Sequence, residues 1–325
     1  MKEIGGYFQL DQLVNTPYYT NMIELNTGRN ALIYLVKSKR IKKIYLPYFL
    51  CDSVSNVLDK YFIDYEYYHI DKKFLPLFDK RLNDSEYLYV VNYYGQACDI
   101  IIKNLREVFC NIIIDNTQSF FQKPIEEIDT IYSCRKYFGV PDGAYLSTNS
   151  DILTEELEED KSKDRMIHIL GRYEGQASEY YKDFRDNDES FKELPLKGMS
   201  NLTKNILGAI DYERVLELRN KNFRYLYDRL NETNILDIKI PNGAFAYPYY
   251  IKNGIEVRKK LVEKKIYIPT LWPNVLRKSD KNSIEYDFAA NILPLPCDQR
   301  YIVDDMKHIV EMINKLQNQE GKHEY

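Results

Sequence analysis

Three short segments of the sequence carry residue types that could do chemistry, and each lies where a predicted strand ends or a predicted helix begins. The first is Thr27-Gly28-Arg29-Asn30, directly before a predicted helix. Glycine lets the backbone approach an anion closely, and the free N–H groups at a helix start can bind a phosphate. A glycine in an ordinary helix-entry turn has the same pattern, so this segment does not define a site by itself.

The second segment is the end of the apolar run NIIID, where Asp115 is followed by Asn116, Thr117 and Gln118. A carboxylate at the mouth of a buried strand loses hydration, so it usually has a cationic or hydrogen-bonded partner. The alternative is a structural role as the N-cap of the next turn or helix. The segment alone leaves both interpretations open.

The third segment is Ser133-Cys134-Arg135-Lys136, which is followed by a turn rich in glycine and proline. A lysine between a strand end and such a turn is normally a solvated surface residue. In a partly desolvated place near other cations, however, the pKa of Lys136 would fall, and the amine could act as a nucleophile or a base. The hydroxyl of Ser133 could contact the same phosphate as the first segment.

Together the three segments supply a helix start for a phosphate, a carboxylate at a strand end and a lysine after the next strand. These are the groups that a pyridoxal 5'-phosphate (PLP) site needs. Lys136 would form the Schiff base, and Asp115 would keep the pyridine nitrogen protonated, so that the ring can accept electrons from a carbanion. We therefore predict a PLP site.

The elements that must position these residues alternate between helix and strand from residue 29 onward. The predicted helices are 29–39, 52–60 and 100–109, and the predicted strands are 43–46, 62–70, 87–93, 111–115, 130–133 and 144–147. The runs 87–93 and 111–115 are continuously apolar, as in strands that are buried on both faces. This order predicts an α/β fold with a mainly parallel sheet between helices.

The sequence changes character after residue 150. We predict an acidic helix over 153–160, and we interpret the charged stretch 161–193 as solvated or mobile. One long helix is predicted over 201–230, followed by a small α+β unit. A domain boundary near residue 215 would separate a large domain, 1–215, from a small C-terminal domain, 216–325.

Composition argues against several classes of protein. The 325 residues include 45 Lys and Arg against 49 Asp and Glu, a net charge of −4, which does not resemble the basic surface of a nucleic-acid-binding protein. The apolar runs are far shorter than the roughly 20 residues that span a bilayer, and the first residues do not resemble a signal peptide. Five scattered cysteines without a CxxC pair argue against disulfides and zinc. We expect a cytoplasmic protein without a metal.

The quoted segments resemble one known family. TGRNALIYL, IYLPYFLCDSV, VVNYYGQACDIIIKNLREVFCNIIIDNTQSF and YSCRKYFGVPDGAYL are similar to the corresponding parts of DegT/DnrJ/StrS-type sugar aminotransferases, which are fold type I PLP enzymes. The resemblance covers roughly residues 20–315, and its sharp motifs are the lysine loop and the aspartate element. It implies a homodimer with a large PLP-binding domain and a small α+β domain in each subunit.

The resemblance also implies a role for each matching residue. Lys136 would carry PLP as an internal aldimine and move a proton between the substrate carbon and the cofactor. Asp115 would pair with the pyridine nitrogen, and Gln118 would hydrogen-bond near the phenolic oxygen of the ring.

The remaining implied contacts concern the phosphate and the partner subunit. Gly28 and Arg29 would present backbone N–H groups to the phosphate, with the hydroxyl of Ser133 beside them. The region of Ser200 and Asn201 is our candidate for the residues contributed to the partner's site.

The sequence departs from the family pattern at three points. The lysine loop has the short Ser-x-x-Lys spacing, and the bulky Arg29 follows Gly28 where a small residue or threonine is common. Cys51 occupies the place of an aromatic residue that would stack on the cofactor. Tyr48, Phe49 or Tyr93 could substitute for that aromatic ring, and the sequence does not choose between them.

We therefore expect an aminotransferase that moves an amino group, from glutamate, to a keto-sugar linked to a nucleotide. Polysaccharide or secondary-metabolite biosynthesis is the context that the family implies. Two alternatives stay open: another PLP-dependent reaction at the same site, namely elimination, epimerisation or decarboxylation, and a non-catalytic regulatory protein with the same fold.

Overall fold

The computed structural model describes residues 7–14, 16–150, 153 and 156–320 and contains one large sheet. Its strands are, in chain order, β1 (Ile23–Leu25), β2 (Lys43–Pro47), β3 (Asp64–Ile70), β4 (Pro76–Leu77), β5 (Glu86–Val91), β6 (Ile112–Asp115), β7 (Asp129–Ser133) and β8 (Ala144–Ser147). Their order across the sheet is β1-β8-β7-β6-β5-β2-β3-β4. The central strands β7, β6, β5, β2 and β3 are parallel, and β1, β4 and β8 pair antiparallel with their neighbours.

The helices before residue 200 are α1 (Gly28–Lys39), α2 (Asp52–Lys60), α3 (Asp99–Phe109), α4 (Ile167–Glu174) and α5 (Tyr181–Ser190). The later ones are α6 (Asn201–Gly208), α7 (Tyr212–Leu230), α8 (Gly254–Glu263), α9 (Pro273–Lys278), α10 (Ile284–Asn291) and α11 (Val303–Glu320). A second, antiparallel sheet joins β9 (Tyr247–Tyr250) and β10 (Ile292–Leu295). These elements match the predicted α/β fold with an α+β C-terminal part.

Helix α1 begins where its sequence provides an N-cap. The hydroxyl of Thr27 accepts a hydrogen bond from the Asn30 N–H, and the seven residues from Asn30 to Val36 are all buried. A helix that is apolar on every side must lie inside the protein. The start of α1 is thereby held inside the fold beside the sheet.

The acidic helix predicted over 153–160 is absent from the described residues of that segment. Residues 156–160 are not helical, and residues 154 and 155 lie outside the part of the chain that the structure describes. The backbone there pairs with Gly198 instead: the Asp160 N–H donates to Gly198 O at 3.0 Å, and the Gly198 N–H donates to Glu158 O at 3.0 Å.

The long helix predicted over 201–230 is divided into α6 and α7. The Asp211 side chain accepts a hydrogen bond from the Arg214 N–H and begins the second helix. Aspartate is a strong N-cap because it satisfies N–H groups that have no partner within the helix. The stretch 161–193, interpreted as solvated or mobile, contains α4 and α5, and most of its side chains are exposed.

The proposed boundary at residue 215 falls inside α7, which continues from Tyr212 to Leu230. The two-domain division therefore stays a prediction. Among the described residues, no helix is long and apolar enough to span a membrane.

Candidate active site

The candidate active site lies where three parallel strands end side by side. In the sheet register, Asp115 at the end of β6 lies between Val91 of β5 and Ile131 of β7. The backbone continues these ladders, because the Asn92 N–H donates to Asp115 O at 3.0 Å and the Asn116 N–H donates to Ile131 O at 2.8 Å. The ends of parallel strands are where α/β proteins commonly bind ligands.

Asp115 is buried, with 5% of its surface exposed, and both of its carboxylate oxygens are bonded. Oδ2 accepts from the Tyr89 hydroxyl at 2.9 Å, and Oδ1 accepts from the Thr117 N–H at 2.8 Å. Asp115 therefore has the expected hydrogen-bonded partners, one of them within a local turn, and its charge also opposes the lowering of the Lys136 pKa. The carboxylate is fixed in orientation before any ligand binds.

Lys136 lies next to this aspartate. Its Nζ donates to Thr117 Oγ1 at 2.8 Å. The Lys136 side chain is exposed to solvent, although neighbouring protein atoms partly desolvate its amine. Desolvation lowers the pKa of Lys136, with Arg135 and Arg29 lowering it further, and Asp115 and Cys51 oppose this shift. The site therefore favours the neutral, nucleophilic amine more than bulk water does.

The loop that carries Lys136 is held by buried polar bonds. The Cys134 N–H donates to Gly143 O at 3.0 Å, and the Gly143 N–H donates to Asn26 O at 2.7 Å. Gly143 has φ +112°, and an added Cβ would lie 2.9 Å from the Thr203 side chain, so only glycine fits there. The buried Asp142 accepts from the Ser200 N–H at 2.9 Å and from its hydroxyl at 2.6 Å.

This network bears on the residues suggested for the partner's site. Ser200 is buried and bonded to Asp142 of its own chain. Asn201 is exposed, and its Nδ2 donates to Glu159 at 2.6 Å. A contribution of this region to a partner subunit stays a prediction.

The start of α1 lies against the same site. A Cβ added to Gly28 would be 3.8 Å from the methyl carbon of Thr117, the residue that contacts Lys136. The N–H groups of Asn30 and Ala31 bond to Thr27, whereas those of Gly28 and Arg29 have no hydrogen bond within the described part of the chain. Ser133 ends β7 and is half-buried.

Two arginines flank the lysine. The Arg135 guanidinium carbon lies 3.8 Å from the centre of the Phe191 ring, and Nη2 is 3.6 Å from Asp188 Oδ1. Desolvation is the main reason that the pKa of Arg135 falls to about 10, and Arg29 also lowers it. Arg29 Nη1 is buried and has no hydrogen-bond partner among the described residues.

Gln118 is buried, and its Oε1 accepts from the Tyr94 N–H at 2.9 Å. Tyr94 has φ 54°, so this bond supports an unusual backbone conformation directly after β5. Gln118 therefore supports the backbone at Tyr94. The predicted role of Gln118 near a cofactor ring stays a prediction.

No described contact joins Lys136 to any of the three aromatic residues suggested for stacking. Phe49 and Tyr93 are buried and pack against Trp272 in the core. Tyr48 is partly exposed, and its ring stacks on Tyr67 at 4.9 Å. Cys51, by contrast, is near enough to influence the pKa of Lys136.

Sequence reasoning missed two residues that contact the predicted pair. Thr117 lies two residues after Asp115, in the turn that directly follows β6. The sequence could therefore have indicated that its side chain lies near Asp115 and Lys136. Tyr89 is two residues before Val91, which is level with Asp115, and residues two apart in a strand share a face. The strand register contained the signal for Tyr89. Nothing local in the sequence indicates the contact between Phe191 and Arg135.

The fold defines the class of protein that this chain resembles. Many solved structures share this fold, and they include DegT/DnrJ/EryC1/StrS aminotransferases. The comparison confirms the predicted α/β fold with a mainly parallel sheet. No protein-family model matches the sequence, and no curated protein is similar to it.

Three particular structures illustrate the likeness. A DegT/DnrJ/EryC1/StrS aminotransferase from Brucella abortus is 15% identical, with a TM-score of 0.61 over 91% of this chain and 85% of that chain. DesV of S. venezuelae, solved with a ketimine intermediate, is 13% identical, with a TM-score of 0.62 over 91% and 84%. The E. coli GDP-4-keto-6-deoxy-D-mannose-3-dehydratase, solved with hydrated PLP, is 16% identical, with a TM-score of 0.60 over 91% and 87%.

Proposed function

We propose that this protein is a PLP-dependent aminotransferase that transfers the amino group of glutamate to a keto-sugar linked to a nucleotide. The observation that carries this proposal is the position of Lys136, whose amine is bonded to Thr117 beside the buried Asp115 and the start of α1. We further propose that it acts in the cytoplasm as a homodimer, as the resemblance implies.

The residues present fit the chemistry of PLP. An amine with a lowered pKa suits the aldehyde, and a buried carboxylate suits the pyridine nitrogen. The unbonded N–H groups of Gly28 and Arg29 and the hydroxyl of Ser133 suit the phosphate. When bound, PLP supplies the electron sink for a substrate carbanion.

The protein's own residues would divide the remaining work. Lys136 would hold the cofactor covalently and afterwards accept and return a proton at Nζ, and the Thr117 hydroxyl would orient that amine. Asp115 would hold the charge of the pyridine nitrogen, while the Tyr89 hydroxyl and the Thr117 N–H keep the carboxylate in place. Preorganised charges of this kind are usually a large part of catalysis.

The test is an amino-transfer assay with PLP, glutamate and a panel of nucleotide-linked keto-sugars. We expect one mole of 2-oxoglutarate for each mole of aminosugar formed, and no product with Lys136→Gln. Failure to release 2-oxoglutarate with any keto-sugar, from a protein that binds PLP, would contradict the transferase.

A second candidate is a PLP-dependent elimination from a keto-sugar, which the similar E. coli dehydratase favours. The same assay separates the two reactions. Both reactions would form 2-oxoglutarate from glutamate. Transfer would leave the glutamate nitrogen on the sugar, whereas elimination would give a deoxy-keto-sugar without a new amine and release that nitrogen as ammonia. A protein that binds no PLP and converts no substrate would instead match the non-catalytic alternative.

A further inference from the structure

The site contains more positive charge than its anions offset. A Cβ added to Gly28, the residue before Arg29, would lie 3.8 Å from the methyl carbon of Thr117, whose hydroxyl accepts a hydrogen bond from Lys136. Arg135 precedes Lys136 in the chain, and both arginines lower the pKa of that lysine. The buried carboxylate that acts on Lys136 from this group is Asp115, and its oxygens are already bonded to Tyr89 and Thr117. Like charges held together in a partly desolvated place repel one another, and a bound anion relieves that repulsion.

A neighbouring arginine shows what an ion-paired guanidinium looks like in this part of the chain, although its Nε is also buried without a hydrogen-bond partner among the described residues. Arg165 Nη2 lies 2.8 Å from Asp160, and both side chains are largely buried. Within the described part of the chain, the ion-pair partner of Arg135 is Asp188 at 3.6 Å, and the Asp188 side chain is 58% exposed. A long pair with an exposed carboxylate contributes little.

Arg29 is the clearer case. Its Nη1 atom is buried and has no hydrogen-bond partner among the described residues. A buried charged donor without a partner is costly. Arg29 therefore offers a charged donor at the same helix start where the N–H groups of Gly28 and Arg29 have no hydrogen bond among the described residues.

We propose that the guanidinium groups of Arg29 and Arg135 together bind a phosphate group beside Lys136. Guanidinium suits phosphate because its planar set of donors matches two oxygens at once. The proposal rests on the proposed function only for the source of that phosphate, which is either the cofactor or the nucleotide-linked substrate. The charged side-chain contact is common to both.

The first experiment titrates the full chain, before PLP is added, with inorganic phosphate and measures binding by calorimetry. We expect saturable binding by the unmodified chain and an affinity about tenfold or more weaker in Arg29→Gln and in Arg135→Gln, because each loses a charged hydrogen bond. Arg29→Lys should keep part of the affinity. Arg214→Gln, which removes an exposed charge on α7, is the matched control and should bind normally.

Asp188→Asn adds a measurement that a purely structural role of Arg135 would not move. Because Asp188 competes for Arg135, its neutralisation should strengthen phosphate binding. The proposal is overturned if the unmodified chain shows no saturable binding, or if Arg29→Gln and Arg135→Gln both bind phosphate as the unmodified chain does.

The second experiment identifies the source of the phosphate. Weaker binding of PLP but not of pyridoxal by Arg29→Gln would assign the site to the cofactor. Weaker binding of UDP by the PLP-loaded variant, with unchanged PLP affinity, would assign it to the substrate, and no change in either would overturn the proposal. Phosphate binding by a chain that never attaches PLP at Lys136 would contradict the proposed function and leave the phosphate site standing.

Discussion

At the carboxyl ends of the neighbouring strands β6 and β7, hydrogen bonds fix Asp115, Thr117 and Lys136. These bonds join residues that are close in sequence or that follow adjacent strands. The region around α4 and α5, which contacts Arg135 through Asp188 and Phe191, has fewer buried side chains. Ile167, Leu170, Tyr173 and Phe184 are exposed there, and the contact with the site runs mainly through Phe191.

The difference separates two tasks. The sheet edge holds the groups that would react, and its backbone ladders allow little movement. The α4–α5 region sets the surroundings of Arg135 and has few buried apolar contacts, so it belongs to the parts of a protein that open at low cost in free energy. Changes at the sheet edge should therefore alter chemistry, and changes in α4–α5 should alter local stability.

The largest effect is expected for Lys136→Ala. Turnover of glutamate should fall by about 10³-fold or more, as when a nucleophile is removed. The free energy of unfolding should change by less than about 1 kcal/mol, because the side chain has solvent access. Lys123→Ala, which removes another exposed lysine, one that lies over the Tyr18 ring, is the control and should keep its turnover. An equal loss of turnover in both variants would contradict a specific role of Lys136 in the reaction.

Asp115→Asn should lower turnover by about 10²-fold, because a fixed charge is lost from the preorganised site. Asparagine can still accept the Thr117 N–H, so PLP binding, measured by absorbance, should persist. Tyr89→Phe removes one donor to the same carboxylate and should have the smaller effect of the two. A larger loss of turnover for Tyr89→Phe than for Asp115→Asn would contradict the role of the Asp115 charge in the reaction.

Phe191→Ala tests the other region. Removal of this buried ring should lower the local stability of α4–α5 by about 3 kcal/mol, measured by amide hydrogen exchange. Phe184→Ala, on the same segment but exposed, should change exchange little. Faster exchange in β5, β6 and β7 as well would show that both regions unfold as one unit.

The smallest effect concerns the pH dependence of PLP attachment. Attachment needs the neutral amine, so its rate should rise as pH passes the pKa of Lys136. Arg135 lowers that pKa and Asp115 raises it, so Arg135→Gln should move the curve to higher pH and Asp115→Asn to lower pH. Stopped-flow absorbance at a series of pH values measures both shifts. Movement in the same direction would contradict the electrostatic account.

The sequence predicted the fold class and brought Asp115 and Lys136 to one sheet edge, because strand ends are local features and parallel strands end together. Thr117 and Tyr89 were within reach of the same reasoning. The stack of Arg135 on Phe191 was not, since Arg135 lies in a turn after β7 and Phe191 follows α5 much later in the chain, with no periodic pattern to connect them. The break between α6 and α7 was missed because the apolar stripe continues across Asp211.

The central claim is that the amine at position 136 bonds to PLP at this edge of the sheet. Incubation with PLP, reduction with borohydride and mass analysis of the digested peptides test it directly. We predict a reduced pyridoxyl group on the peptide that contains Lys136 and unmodified peptides elsewhere. An unmodified Lys136, or a modified lysine outside the site, would contradict the account.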